Sequence, residues 1–148
     1  MISRISTATL YGINGKTVDV EVDISYGLPA FNIVGLPETS VKESKERVRA
    51  AIKNAGFEFP SDRITVNLAP ADVRKEGSSF DLPIAIGILA AMGAIKAEKL
   101  FDYFIAGELS LDGGIKAIRG VLPITMLAAQ EGMKNIIVPC ENGNEAAV

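Results

Sequence analysis

Hydrophobic and polar residues alternate strictly along residues 17–24 (TVDVEVDI), with Val and Ile on one face and Asp and Glu on the other. A period of two is typical of a strand that is buried on one face. The preceding residues 2–12 are rich in Thr and β-branched side chains, which favours a further strand. Asn14 and Gly15 lie between the two and form a dipeptide that favours tight hairpin turns. The pattern predicts an antiparallel hairpin at the start of the chain.

A period of three to four residues replaces this alternation in residues 37–56 (PETSVKESKERVRAAIKNAG). Small and aliphatic residues recur on one stripe while charged residues cover the rest, as in a helix that packs by one face. Gly56 fits the position just after a helix end. The predicted inward stripe consists of Val41, Ser44, Val48, Ala51, Ile52 and Ala55.

Further apolar runs complete the predicted element order. Strands are predicted at residues 30–36, 63–70, 104–111 and 135–139, and the last is expected to be central because it is wholly apolar. Helices are predicted at residues 82–95, the most apolar run, and at residues 120–132, where Pro123 is expected to interrupt the helix early. The order indicates a single α/β domain over residues 1–148, arranged as an α+β two-layer sandwich.

Composition removes several classes of chemistry. The chain has 148 residues, 48% of them hydrophobic, which is enough for one domain with its own core. It contains no His and one Cys, so His-based triads, Cys/His zinc sites and intramolecular disulfides are excluded, and we predict no metal site. The formal net charge of −3 gives no support to nucleic-acid binding by the chain as a whole. The single thiol and the absence of a secretory leader or a spanning apolar run favour a cytoplasmic protein without membrane contact.

Residues 73–83 (VRKEGSSFDLP) lie just before the most apolar helix and invite two interpretations. In the structural one, Gly77 and Ser78 form a turn and Asp81 is the N-cap, since Pro83 is tolerated only in a first turn. In the catalytic one, a serine is a nucleophile beside free backbone N–H groups, but without His its base would have to be a lysine or a carboxylate. The residue pattern favours the structural interpretation.

Two surfaces could bind anions. The serines before the apolar helix, with Arg74 and Lys75 nearby, could hold a phosphate, although no G-x-x-x-x-G-K-[ST] string occurs in the chain. Cations also recur at three- and four-residue steps along the helix predicted at residues 37–56, which suits phosphate contacts, but interleaved glutamates favour an ordinary solvated face. The nucleic-acid contact candidates are Lys42, Lys45, Arg49, Lys53, Arg74 and Lys75.

The glycine-rich residues 107–120 (GELSLDGGIKAIRG) predict a β-turn at Asp112 and Gly113. A mobile hairpin that touches a neighbour or nucleic acid through Lys116 and Arg119 is the alternative. Cys140, at a strand end, is expected to be half-buried and without a redox role.

Three strings together resemble the N-terminal domain of the magnesium-chelatase-like AAA+ ATPases, the family of the competence protein ComM and of YifB. They cover residues 11–52 (YGINGKTVDVEVDISYGLPAFNIVGLPETSVKESKERVRAAI), 63–89 (RITVNLAPADVRKEGSSFDLPIAIGIL) and 107–123 (GELSLDGGIKAIRGVLP). The resemblance implies a Lon-protease-like fold of the ribosomal-protein-domain-2-like and GHMP-kinase type, with a left-handed βαβ crossover. It also implies that an ATPase module follows and binds ATP and Mg, whereas this fragment carries no cofactor.

The same resemblance places Ser79 at the nucleophile position of Lon proteases, because residues 74–81 (RKEGSSFD) match the Lon P-K-D-G-x-S-A-G string. The Lon base is a lysine in a G-G-x-K-E-K segment, and the matching residues 119–125 (RGVLPIT) have Leu122, Pro123 and Ile124 instead. The resemblance therefore implies a non-catalytic accessory domain. The resemblance also implies relatives that are associated with natural transformation and look like motors on branched DNA, so this domain is expected to serve DNA contact or ring assembly. The alternatives are a hydrolase that pairs Ser79 with Lys75 or Lys116, and a pure oligomerisation module.

Overall fold

The computed structural model describes residues 2–11 and 13–148 as a sheet flanked by helices. The strands are β1 (Ile2–Tyr11), β2 (Asn14–Ser25), β3 (Ala30–Val34), β4 (Arg63–Ala69), β5 (Tyr103–Ile105), β6 (Glu108–Leu109), β7 (Ile115–Lys116) and β8 (Asn135–Ile137). The α-helices are α1 (Thr39–Lys42), α2 (Ser44–Asn54), α3 (Asp81–Ala91), α4 (Val121–Gln130) and α5 (Gly143–Ala146).

Six strands form one mixed sheet in the order β3-β4-β2-β1-β5-β8, and β6 and β7 form a separate hairpin. The pairs β1–β2 and β2–β4 are antiparallel, while β3–β4, β1–β5 and β5–β8 are parallel. This confirms a mixed α/β fold. The prediction of a central strand at residues 135–139 is wrong, because β8 lies at the edge of the described sheet. Its apolar residues mark partial cover by α4 rather than a central position.

The first hairpin is confirmed, but its turn is not where the sequence predicted it. Asn14 and Gly15 already belong to β2, where they pair with Tyr11 and Leu10. The buried face of β2 fixes the register, since a slip of one residue would turn Val18 and its neighbours toward solvent. Gly15 instead permits a close approach of α4, because a Cβ there would lie 3.3 Å from Leu127 Cδ2.

Two apolar clusters lie on opposite faces of the sheet. The larger one joins the alternating Val residues of β2 to α2 and α3, and the smaller one joins Ala8 to α4. The sheet separates the two clusters. In β5, Phe104 belongs to the smaller cluster and its neighbour Ile105 to the larger one. The second face is therefore covered by α4 at one end, in addition to the predicted helix layer on the first face.

The helix expected at residues 37–56 is divided at Glu43 into α1 and α2. The predicted stripe is buried as far as Ile52, but Ala55 is exposed because α2 ends before it. Pro123 does not interrupt α4, since it is the third helical residue and needs no N–H in the first turn. The strand predicted at residues 104–111 is also divided, because Ala106 and Gly107 connect β5 to β6.

In the described part of the chain, no helix combines the length and apolar composition that crossing a bilayer requires.

Candidate functional site

A cleft of about 630 Å³ opens between the loop that precedes α3 and the segment that follows β7. Its lining mixes hydroxyl, carboxylate and guanidinium groups with a few aliphatic side chains. The polar and charged lining residues are Ser40, Glu76, Ser78, Ser79, Glu108 and Arg119. Because it holds the serine singled out by sequence, this cleft is the candidate site.

The loop before α3 is held at Ser79 through its backbone rather than its side chain. The Ser79 carbonyl accepts a hydrogen bond from Gly107 N (3.0 Å), and the Gly107 carbonyl accepts one from Leu82 N (3.0 Å). Among the described residues, no group forms a hydrogen bond or ion pair with the Ser79 hydroxyl. A serine hydroxyl without a base remains a weak nucleophile at neutral pH.

Neither lysine proposed as a base forms a hydrogen bond with the Ser79 hydroxyl. Lys75 is completely buried, and its Nζ donates to the carbonyl oxygens of Gly35 (2.6 Å) and Pro70. Burial lowers the pKa of the Lys75 ammonium below its ordinary value. Lys116 is exposed on β7, and the start of α4 presents Leu122. The two carboxylates in the lining, Glu76 and Glu108, do not hydrogen-bond the Ser79 hydroxyl either, so none of the described residues is placed as its base.

The assignment of Lys75 as a nucleic-acid contact is wrong. Its side chain has no exposed surface, so it cannot reach a phosphate. Instead it ties together two loops, because its backbone N–H donates to Leu36 O (3.1 Å) and its own carbonyl accepts from Glu38 N (2.8 Å).

Asp81 is the buried charge at this site, and its prediction as an N-cap is wrong. It is the first helical residue of α3, and its side chain makes no capping hydrogen bond. The carboxylate accepts from Arg47 Nε (2.6 Å) and Nη2 (3.0 Å), from the Ser44 hydroxyl (2.5 Å) and from Leu109 N (3.0 Å). Asp81 thus joins α2, α3 and β6 behind the cleft.

Arg47 and Ser44 were not predicted as site residues. Ser44 is a polar residue within the inward stripe of α2 and is completely buried, which was the available sign that a polar partner faces it. The partner itself is 37 residues away in the chain and could not be found from local spacing.

Gly77 and Ser78, the predicted turn, form a bend, and the hydrogen-bonded turn lies further on, at Ser79 and Phe80. Gly77 has a φ of 89°, in the left-handed region that glycine favours, and its N–H donates to the Ser40 hydroxyl (2.9 Å). The Ser78 carbonyl accepts from Asp81 N (3.2 Å). Ser78 and Ser79 therefore lie in the wall of the cleft.

The cations predicted to contact nucleic acid have different surroundings. Arg74 pairs with Glu38, and Arg49 pairs with Glu46 and lies over the rings of Phe31 and Phe59. The remaining three project from α1 and α2 without an ion pair among the described residues. They are Lys42, Lys45 and Lys53.

The β6–β7 hairpin confirms the predicted turn at Asp112 and Gly113. Gly113 has a φ of 96°, and the Asp112 carboxylate accepts from the Ser110 hydroxyl and from Gly114 N. These bonds, that from Ser110 first, lower the pKa of Asp112. Asn54 on α2 also donates to Leu111 O (2.7 Å), which holds the hairpin tip against the helix.

Cys140 is exposed, not half-buried as predicted. The described residues bring together no group of three or more Cys, Asp or Glu side chains able to hold a metal ion.

Residues 20–142 match the family model described as subunit ChlI of Mg-chelatase. The chain belongs to this family. Within the Mg-chelatase-like family it is 49% identical over 137 residues to the competence protein ComM of Haemophilus influenzae, covering 93% of this chain and 27% of that protein. It is 46% identical over 147 residues to YifB of Escherichia coli, covering 99% of this chain and 29% of YifB.

A more distant similarity extends to Lon proteases. The chain is 30% identical over 159 residues to Lon protease 2 of Bacillus subtilis, covering 95% of this chain and 28% of that protease. In each of these comparisons the chain spans less than a third of the relative's length. The similarity therefore concerns one portion of a longer protein in each case.

Proposed function

We propose that this chain is a non-catalytic accessory module of a ComM/YifB-type Mg-chelatase-like ATPase. The observation that carries the proposal is the Ser79 hydroxyl: none of the described residues hydrogen-bonds it as a base, and the Lys75 ammonium instead donates to two backbone carbonyl oxygens. A serine hydroxyl that no base hydrogen-bonds suits binding and positioning better than hydrolysis. The proposal includes a Lon-like sandwich of the GHMP-kinase type with a left-handed βαβ crossover.

The wider role that we propose is DNA processing in recombination or natural transformation. The name of the relative ComM, a competence protein, supports this role. In the proposal, ATP and Mg bind a separate ATPase module, and the protein assembles into a ring. This module contributes either DNA contact or assembly.

The surface that best suits DNA contact is the outer flank of α1 and α2. Lys42, Lys45 and Lys53 form no ion pair there with any residue that the structure describes. A row of ammonium groups neutralises phosphates irrespective of base sequence. The face of the sheet that α4 covers at one end is less suited to DNA. It carries Glu21, whose carboxylate pairs with Arg4 (2.6 Å) and would repel phosphate without that partner.

A salt-dependent DNA titration of the full-length protein tests this contact. Lys42→Glu and Lys45→Glu should each weaken binding and reduce the slope of log affinity against log salt by about one. Lys99→Glu, which changes an exposed lysine in the 3₁₀ turn Ala97–Lys99 outside α1 and α2, is the matched control. Equal affinities and slopes for all three variants and the parent would exclude the α1–α2 flank as the contact.

The second candidate function, a serine hydrolase, is favoured by the free Ser79 hydroxyl in an open cleft. A fluorophosphonate probe separates the two candidates. The accessory-module proposal expects no more labelling of the parent than of Ser79→Ala. Stoichiometric labelling that Ser79→Ala abolishes would establish an activated serine and overturn the non-catalytic assignment.

A further inference from the structure

The segment that follows β7 is held as extended chain by one buried side chain. The Asn142 amide accepts a hydrogen bond from Ile118 N (2.9 Å) and donates one to Ile118 O (3.0 Å). Asn142 is itself only 7% exposed. A partner that bonds both main-chain groups of one residue is the arrangement found between paired strands, so Asn142 takes the place of a neighbouring strand on this side of the segment.

The adjoining main-chain groups point the other way. The peptide bonds on both sides of Ile118 are trans, and a trans peptide directs its C=O and its N–H to opposite sides. Because the N–H and C=O of Ile118 are both directed to Asn142, Ala117 O and Arg119 N are directed away from it.

The β6–β7 hairpin gives the same direction to Ala117 N. Ser110 N donates to Gly114 O (2.9 Å), and bonded pairs alternate with unbonded pairs along an antiparallel ladder. Lys116 lies two residues beyond Gly114 and is therefore directed to β6, which leaves Ala117 directed away from β6. Ala117 N, Ala117 O and Arg119 N, here called the free edge, form no hydrogen bond with any residue that the structure describes.

The free edge borders the cleft. Ala117 and Arg119 are exposed, and both line it across from the loop that precedes α3. Donors and acceptors that recur at every second residue match the main chain of an extended polypeptide, whereas a nucleic acid has no such repeat. The lining also carries two carboxylates, Glu76 and Glu108, against one guanidinium, which disfavours a phosphate backbone and favours cationic side chains.

We propose that the cleft binds an extended, basic segment of a partner protein, which adds a strand to the free edge. Main-chain hydrogen bonds to Ala117 and Arg119 supply the affinity, and Glu76 and Glu108 select Lys or Arg side chains. The source is a separate protein because this chain has a net charge of −3. The inference goes beyond the proposed function, since it gives the cleft a polypeptide ligand while DNA contact stays on the α1–α2 flank.

Fluorescence anisotropy of the full-length protein with a fluorescein-labelled hexapeptide of alternating Lys and Val tests the strand pairing. Two further peptides carry backbone N-methyl groups, one at its second and fourth residues and the other at its third and fifth. Only one of these sets faces the free edge, so one methylated peptide should lose roughly tenfold or more in affinity and the other should not. Absence of binding by the unmethylated peptide, or equal effects of the two methylation patterns, would overturn the proposal.

Protein variants test the same contact from the other side. Ala117→Pro removes a donor of the free edge without breaking a bond of the fold, and it should weaken the hexapeptide roughly tenfold. Glu76→Gln should weaken it and reduce the salt dependence of binding, even where Ala117→Pro perturbs folding. Glu58→Gln, at an exposed position outside the cleft lining, is the matched control and should have no effect. Equal losses for the two Gln variants would contradict the assigned site.

Hydrogen exchange of the full-length protein distinguishes a partner from a segment of the same protein. The Ala117 and Arg119 amides should exchange rapidly in the free protein and become protected when the hexapeptide is added. Protection without the peptide would show that the protein's own chain already covers the free edge, and the assignment to a partner would be wrong. These readouts involve neither DNA nor the reactivity of Ser79, so their failure is distinct from failure of the proposed function.

Discussion

The buried carboxylate of Asp81 holds α2, α3 and β6 together behind the cleft. Its carboxylate is fully buried against Arg47, whose side chain is 24% exposed. Taking such a charge out of water is costly unless its partners are complete, and here a guanidinium, a hydroxyl and a backbone N–H all donate to it. The stability of the site depends on the completeness of this set.

Asp81→Ala should therefore destabilise the protein by about 3 kcal/mol, because it leaves a partly buried Arg47 and the Leu109 N–H without their acceptor. Urea unfolding followed by circular dichroism measures the change. Glu46→Ala removes the exposed partner of Arg49 on the same helix and should cost less than about 1 kcal/mol. Similar losses for the two variants would contradict the assigned role of Asp81.

Lys75 provides a prediction of pH dependence. Burial lowers its pKa in the folded protein below the ordinary value of 10.5 that applies to the unfolded chain. Between the two values the unfolded chain binds more protons, so the contribution of Lys75 to the free energy of unfolding rises with pH. That contribution is fully present above 10.5 and is lost as pH falls through the folded pKa.

Comparison with Lys75→Met isolates this effect, because other titrating groups are common to both proteins. The free energy of unfolding of the parent minus that of the variant should increase from neutral pH toward pH 10.5. Urea titrations across this range measure it. A difference that is constant with pH would show that the Lys75 pKa is the same in the folded and unfolded chains.

At the scale of elements, α3 approaches the sheet unusually closely at Gly87. A Cβ at this position would lie 2.7 Å from Val22 Cγ2, and the Gly87 carbonyl accepts from the Ser3 hydroxyl (2.6 Å). The glycine therefore serves packing, although alanine would be the better helix former.

Gly87→Ala should lower the melting temperature, because overpacking costs about 1–3 kcal/mol and exceeds the gain of about 1 kcal/mol in helix propensity. Gly143→Ala is the control, since this glycine starts α5 and no atom would lie within 4 Å of its Cβ. That variant should unfold at or slightly above the parent temperature. A Gly87→Ala protein as stable as the parent would mean that α3 can move away from β2 at little cost.

At the scale of the whole molecule, one sheet carries an apolar cluster on each face. Because Phe104 and Ile105 are neighbours in β5 yet belong to different clusters, the two clusters share a backbone and should unfold together. Phe104→Ala and Ile105→Ala should each destabilise the whole protein by about 2–5 kcal/mol while retaining a single transition. Calorimetry would detect a second transition if the smaller cluster unfolded independently.

Periodicity in the sequence was sufficient for most elements of this chain. The alternation in β2 and the three-to-four period in α2 come from burial of one face, which is a local property of each element. The turn with Gly113 at positive φ was predictable for the same local reason. The sequence also showed that Leu122 lies in the segment where Lon proteases have their lysine base.

Tertiary structure decided what depends on partners distant in the chain. From its residue type, Asp81 could equally have capped a helix or formed a buried ion pair, and Lys75 could have been exposed or bonded to carbonyl oxygens. Contacts with residues distant in the chain determine which of these occurs. The edge position of β8 and the close-packing role of Gly15 likewise depend on neighbours that periodicity does not specify. The sequence alone determined which faces are apolar, because hydrophobicity belongs to each residue, whereas contacts belong to pairs of residues that only the fold brings together.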